Sequence, residues 1–264
     1  MRVFLTGAAG FIGSSIAAGL VRAGHQVTGL VRKPEQVAEL AELAKVGVLG
    51  VLGDLNDREL IIEQARAADA VINAASSDHR AAVEAIIEAL AGSNKPFLHT
   101  SGSSIVGDAS GGEGTEQIYH EDKLPAPTAD KAARVAIDDL VLASANKGVR
   151  ASVLCNTLIY GHGALPRDSV QLPRLLKQAR KSGIVRHVGP GRNIWSNVHI
   201  DDVVSLYLLA LLGSKSGDTG GGLASSLGLD ELSFKGNSSN TDGTTSGAAV
   251  TLGKRFSRNF YAAY

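Results

Sequence analysis

The stretch Thr6-Gly7-Ala8-Ala9-Gly10-Phe11-Ile12-Gly13 restricts the fold of this chain more than any other. It follows a short apolar run, Val3–Thr6, that reads as a strand. It opens a helical repeat, Phe11–Ala23, in which Ile12, Ile16 and Leu20 share one face and Gly24 stands just past the end. The chain must turn tightly out of a buried strand, bring bare backbone against a ligand, and pack the new helix closely on the sheet. Each task favours a residue without Cβ. The helix start then offers free N–H groups and a partial positive charge, which suit a pyrophosphate. Gly7, Gly10, Phe11, Ile12 and Gly13 are therefore predicted to bind the phosphates of a dinucleotide. The strand–turn–helix context is what separates this pattern from a chance run of glycines.

Downstream, short apolar runs alternate with amphipathic helical patterns. Strands are predicted at Gln26–Val31, Val46–Leu52, Ala70–Asn73, Phe97–Thr100 and Arg150–Cys155. Helices are predicted from Pro34 (with Val37, Leu40, Ala41 and Ala44 on one face), over Asp57–Arg66 and His79–Ala91, and from about Ala129 to Ala145. Such alternation implies right-handed βαβ units and a parallel sheet covered on both faces. The predicted class is α/β, a doubly wound parallel sheet of the Rossmann type with a small C-terminal substrate lobe. Residues 1–155 are expected to form the dinucleotide-binding domain, and residues 156–264 the lobe and a tail. In the lobe, a helix over Ser169–Lys181, short strands at Val185–His187 and Ser196–His199, and a helix over Asp201–Leu212 are expected, with Asp201 near the N-cap.

The end of the second strand bears on the cofactor. An acidic residue there, about 20 residues past the glycines, bonds the ribose 2′-hydroxyl of NAD. This chain has Arg32 and Lys33 instead. Two cations welcome a 2′-phosphate that a carboxylate would repel, so the expected cofactor is NADP, with NAD as the alternative. Asp54 and Leu55, after the third strand, are expected to flank the adenine. Ala74 and Ala75, after the fourth, leave room for the cofactor.

Lys plus Arg and Asp plus Glu both number 26 in 264 residues, so no charge excess draws the chain to nucleic acid or anionic lipid. The longest apolar stretch, Val203–Leu212, is half of the ~20 residues a membrane span needs. The single cysteine, Cys155, excludes an internal disulfide and fits a reducing compartment. A cytoplasmic protein acting on a small molecule is expected. Scattered histidines without H-E-x-x-H or paired cysteines give no metal site. There is no G-x-S-x-G elbow and no P-loop G-K-[ST].

The glycine spacing, together with Gly53-Asp54-Leu55, Thr100-Ser101-Gly102-Ser103-Ser104, Leu158-Ile159-Tyr160-Gly161 and Val198-His199-Ile200-Asp201-Asp202-Val203, resembles the short-chain dehydrogenase/reductase superfamily. The resemblance is to its extended and atypical branches, the NAD(P)-dependent epimerase/dehydratase group, and covers roughly residues 1–212. It implies that a Ser or Thr after the fifth strand orients the substrate oxygen, while a Tyr-x-x-x-Lys pair moves the proton. It also implies that Asn156 faces the nicotinamide side, and that any dimer forms through helices near Ala82–Leu90 and Ala133–Leu142; monomer and homodimer both remain open. At the Tyr-x-x-x-Lys position this chain departs from the pattern. Counting back from Asp138 places Asp130 at the Tyr position and Arg134 at the Lys position. Taking Lys131 as the Lys puts Pro127 at the Tyr position.

Ser101 and Ser103, with Ser104 beside them, and Lys131 or Arg134 are therefore the candidate catalytic residues. Tyr119, His120, Glu121 and Asp122 form a polar loop group, and Arg192 and Trp195 are further candidates for gripping a substrate. Two readings stand. One is an NADP-dependent oxidoreductase or epimerase acting on a small carbonyl or sugar-like substrate. The other is a non-catalytic NADP sensor or regulatory protein of the same fold. From Gly213 to Ala249, Gly or Ser fills 17 positions, nine glycines and eight serines. That composition reads as flexible linker, and the tail is expected to depart from the natural sequence of such a lobe.

Overall fold

The computed structural model describes residues 1–44, 47–119, 123–213, 231–235, 249–257 and 260–263. Six parallel strands form the main sheet: β1 (Arg2–Thr6), β2 (Gln26–Val31), β3 (Val48–Leu52), β4 (Ala70–Asn73), β5 (Pro96–Gly102) and β6 (Arg150–Asn156), in the order β3-β2-β1-β4-β5-β6. The order reverses between β1 and β4, which opens the ligand crevice of a doubly wound sheet at their carboxyl ends. The helices are α1 (Phe11–Arg22), α2 (Pro34–Ala44), α3 (Arg58–Ala67), α4 (Arg80–Leu90) and α5 (Ala132–Ala143). They divide between two faces. One core holds Ile16 and Leu20 of α1 with Leu40 of α2; the other holds Ile61 of α3, Ile86 of α4 and Ile137 of α5. β1 contributes to both, because Val3 and Leu5 face one layer and Phe4 the other. This is the predicted class.

β5 runs two residues further than the sequence pattern indicates, because its register with β6 holds to Gly102 opposite Asn156. Ser101 is therefore a strand residue, while Ser103 and Ser104 begin a short 3-10 turn, Ser103–Val106. Beyond β6 the chain forms β7 (Leu158–Tyr160), α6 (Gln171–Ser182), β8 (Asn197–His199) and α7 (Ile200–Gly213), with β7 and β8 paired in parallel. Asp201 lies within the first turn of α7. The strand expected at Val185–His187 does not form; this apolar run carries Arg186 and stays exposed, with Val185 80 % accessible. The linker expectation for the tail is corrected in part. β9 (Glu231–Lys235) pairs antiparallel with β10 (Ala249–Ser257), which pairs with β11 (Phe260–Ala263). Leu232 and Phe234 alternate with polar residues, a strand period inside a Gly/Ser-rich stretch. The rest of that stretch lies outside the described residues. Among the described residues, no helix is long and apolar enough to cross a membrane.

Candidate active site

The glycine turn has the shape a phosphate cradle needs. Gly7 has φ +71°, and a Cβ there would lie 2.7 Å from the Ala74 carbonyl oxygen, at the β1/β4 crevice. A Cβ on Gly13 would lie 2.1 Å from the Gly7 carbonyl oxygen. No side chain fits at either place, so the turn closes only on glycine. Ser14 N–H donates to the Gly10 carbonyl at 2.9 Å as the first bond of α1, and Gly10 has no side chain to cap the helix. The N–H groups of Phe11, Ile12 and Gly13 are left without an intrahelical acceptor. Such a row of donors at a helix start fits a pyrophosphate. The segment leaving β7 walls this turn: Ala164 N–H donates to Ser15 Oγ at 3.1 Å, and Arg167 pairs with Glu39 of α2 at 2.7 Å.

At the end of β2, the backbone N–H groups of Arg32 and Lys33 both donate to Gln36 Oε1 at 3.1 Å, which fixes the bend into α2. Lys33 lies 3.8 Å from Glu35, both exposed, while Arg32 has no ion-pair partner among the described residues. After β3, Asp54 accepts from Asn56 N–H at 2.6 Å, and Leu55 packs on the α3–α4 core. Ala74 is half-buried and Ala75 exposed beside Gly7. The sheet order thus brings predicted cofactor residues from the ends of β1, β2, β3 and β4 to one edge.

Beneath that edge runs a buried polar chain. Thr6 Oγ1 donates to Asn73 Oδ1 at 2.5 Å, and Asn73 Nδ2 donates to His99 Nδ1 at 3.1 Å. That pattern puts the His99 proton on Nε2, which faces Asp138 Oδ1 at 3.6 Å, beyond hydrogen-bond reach. Asp138 Oδ2 accepts from Ser101 Oγ at 2.6 Å. Burial pushes His99 down to about 4, helped by the Arg134 charge. Burial pushes Asp138 up to about 6, against the Ser101 hydrogen bond that lowers it. The 3.6 Å separation is that of an ion pair, yet burial favours the neutral form of each partner. Desolvation outweighs an attraction at that distance, so both groups are neutral near pH 5.

Arg134, one helical turn before Asp138 on α5, stands above this chain. Its Nε and Nη2 donate to Asp78 at 2.8 and 2.6 Å, and its Nη1 donates to Ser104 Oγ at 3.3 Å. The guanidinium holds the Asp78 carboxyl below its ordinary range. A Cβ on Gly102 would lie 3.6 Å from Arg134 Nη1, so the guanidinium borders a bare stretch of backbone at the end of β5. Lys131 pairs with Asp130 at 2.9 Å, and the Asp130 side chain is 69 % exposed. Ser101 is buried with its hydroxyl committed to Asp138, and Ser103 is half-buried at the start of the 3-10 turn. On the opposite face of β5 and β6, Tyr207 of α7 meets Thr100 Oγ1 at 2.6 Å, and its hydroxyl accepts from Asn156 Nδ2 at 3.2 Å. Burial pushes the Tyr207 phenol up to about 12.

Sequence reasoning brought the serines, Arg134 and Asn156 to this edge. It assigned no role to His99, Asn73, Asp78 or Tyr207, quoted Thr6 and Thr100 only within motifs, and used Asp138 only to set a register. Polar residues inside otherwise apolar strands, as in Phe97-Leu98-His99, were the available signal. Tyr207 gave none, since Leu206-Tyr207-Leu208 reads as helix core. Of the other candidates, Arg192 lies 3.5 Å from Glu113 with both exposed, and Trp195 is exposed. Tyr119 is half-buried, and His120, Glu121 and Asp122 lie outside the described residues. Among the described residues no group of three or more His, Cys, Asp or Glu is placed to hold a metal ion.

The chain is 35 % identical over 224 residues to an uncharacterised protein of Schizosaccharomyces pombe, covering 80 % of this chain and 70 % of that one. It is 28 % identical to a 2-alkyl-3-oxoalkanoate reductase of Stenotrophomonas maltophilia, over 80 % of this chain and 65 % of the relative. Among solved structures, a UDP-glucose 4-epimerase from Stenotrophomonas maltophila, with bound NAD and formylated UDP-arabinopyranose, superposes with a TM-score of 0.65. Its identity to this chain is 19 %, over 82 % of this chain and 75 % of that one. The sequence model of the NAD dependent epimerase/dehydratase family matches residues 3–223. With a glycine cradle at the switch point of a 3-2-1-4-5-6 sheet and a match across most of its length, the chain belongs to the NAD dependent epimerase/dehydratase family.

Proposed function

We propose that this chain is an NADP-dependent oxidoreductase or epimerase acting on a small carbonyl or sugar-like substrate, and that it works without a tyrosine general acid. The observation that carries the reading is Arg134, held by Asp78 and Ser104 beside the bare backbone of Gly102. When bound, the cofactor supplies a hydride donor or acceptor. The glycine turn and the first N–H groups of α1 would hold its pyrophosphate, Arg32 with Lys33 would hold a 2′-phosphate, and Asn156 would serve its nicotinamide end. Arg134 stabilises negative charge developing on the substrate oxygen, as a fixed cation in a partly desolvated site does. Ser104, bonded to Arg134, orients that oxygen. Ser101 and Asp138 position α5 from below, and water delivers the proton. Residues 156 onward supply the substrate lobe, and the protein acts in the cytoplasm.

Carbonyl reduction is supported by the reductase relative, and a sugar substrate by the epimerase neighbour. The test measures NADPH consumption over a panel of aldehydes, ketones and 3-oxo acids, with Arg134→Gln and Ser104→Ala beside the wild type. A loss of about 10²-fold in kcat is expected for Arg134→Gln. Rates that neither change alters refute the site. Calorimetry with NADP and NAD, on the wild type and Arg32→Ala, tests the cofactor; equal affinities in the wild type refute the preference. The sensor reading has one observation in its favour, that Asp78 already occupies two donors of the guanidinium. Tight NADPH binding with no turnover on any carbonyl supports it.

A further inference from the structure

We propose that Tyr207 is a positioning residue for the nicotinamide half of the cofactor: it fixes the Asn156 amide so that Oδ1 faces the cleft as a hydrogen-bond acceptor. The proposal rests on the reading above that Asn156 stands at the nicotinamide end.

Among the described residues Tyr207 is the largest of the fully buried side chains, and it belongs to an apolar cluster that includes Ile16, Leu20, Ile159 and Val204. A phenylalanine fills nearly the same volume there without a hydroxyl to desolvate. Burying a hydroxyl is costly unless it is bonded. This one is bonded twice, to Thr100 at 2.6 Å and to Asn156 at 3.2 Å, and both partners lie near the carboxyl ends of β5 and β6. In the β5/β6 register Thr100 stands opposite Leu154 and Gly102 opposite Asn156. Thr100 and Asn156 therefore share one face of the sheet, with a glycine between them on the edge.

The donor pattern gives the arrangement a direction. An amide nitrogen only donates, so the phenol oxygen accepts from Asn156 Nδ2 and passes its own proton toward Thr100. With Nδ2 engaged from below, Asn156 Oδ1 is turned away from Tyr207. It has no protein donor among the described residues, and the residue is half-buried rather than enclosed. A carboxamide N–H is the matching partner on a nicotinamide. Tyr207 itself is 0 % exposed, so it acts only through Asn156.

The experiment compares two pairs of ligands by calorimetry: NADP with 2′-phospho-ADP-ribose, and NAD with ADP-ribose. Within each pair only the nicotinamide differs. For Tyr207→Phe the nicotinamide-bearing ligands are expected to weaken roughly fivefold, the effect of one hydrogen bond, while the ribose fragments bind as to the wild type. Asn156→Ala, at a half-buried strand end, should give the same selective loss, and the double variant should add nothing to it. Equal weakening of both ligands in each pair overturns the proposal, because that marks a structural effect. Unchanged binding of all four ligands overturns it too. A selective loss in Asn156→Ala without one in Tyr207→Phe leaves the nicotinamide reading standing and removes Tyr207 from it. A wild type that binds none of the four overturns both readings.

Discussion

Replacing Asp138 by Asn and His99 by Gln should tilt stability against pH in opposite directions. Both side chains are nearly fully buried, and neither His99 Nε2 nor Asp138 Oδ1 has a hydrogen-bond partner among the described residues. Asp138 titrates at about 6 in the folded chain against an ordinary 3.8, so its contribution is present at low pH and is lost as pH rises through about 6. His99 titrates at about 4 against an ordinary 6.5, so its contribution is present above 6.5 and is lost as pH falls through about 4. Each gap corresponds to about 3 kcal/mol. Between about pH 4 and 6.5 the two slopes oppose each other, and the wild-type pair contributes a nearly flat profile. Asp138→Asn retains an acceptor for Ser101 and leaves His99 alone; relative to wild type it should lose up to about 3 kcal/mol as pH drops from 7 to 4. His99→Gln leaves Asp138 alone and should lose a similar amount, relative to wild type, as pH climbs from 4 to 7. Urea unfolding followed by circular dichroism at several pH values gives both profiles. Differences from wild type cancel the carboxylates common to all three proteins, such as Asp69 and Asp78. Slopes of the same sign in the two variants refute the reasoning.

Gly13→Ala places a Cβ 2.1 Å from the Gly7 carbonyl oxygen. It should destabilise the fold by about 1–3 kcal/mol and abolish the rise in melting temperature that NADP gives the wild type; a retained rise counts against the phosphate cradle. Arg134→Gln removes the donors that hold the Asp78 carboxyl down. Carbon-detected NMR titration should show Asp78 returning toward its ordinary 3.8, and an unmoved value contradicts the pairing. Arg167→Ala breaks a pair whose side chains are each more than a third exposed. Thermal unfolding should register a loss below ~1 kcal/mol, and a larger one would show that the segment after β7 does more than cover the turn.

The amino-acid sequence by itself determined the layered architecture and the cofactor turn, because both are written in local patterns. Apolar residues at period two and period 3.6 mark the alternating strands and helices. Glycines at 7, 10 and 13 mark the turn out of β1, where a Cβ at Gly7 or Gly13 would strike backbone, and Arg32-Lys33 marks the charge at the end of β2. The polar chain under the site has no such local mark. Thr6 and Asn73 are 67 residues apart, and Asn73 and His99 are 26 apart. They meet only because β1 neighbours β4 and β4 neighbours β5. Tyr207 is 107 residues from Thr100 and reads as core by its helical period. Its hydroxyl finds the ends of β5 and β6 because α7 packs across them. Periodicity tells a side chain which way to face, and it says nothing of which distant backbone stands opposite. Strand order decided that, and with it which buried donors found acceptors and which carboxyl, Asp138, was left to titrate near 6.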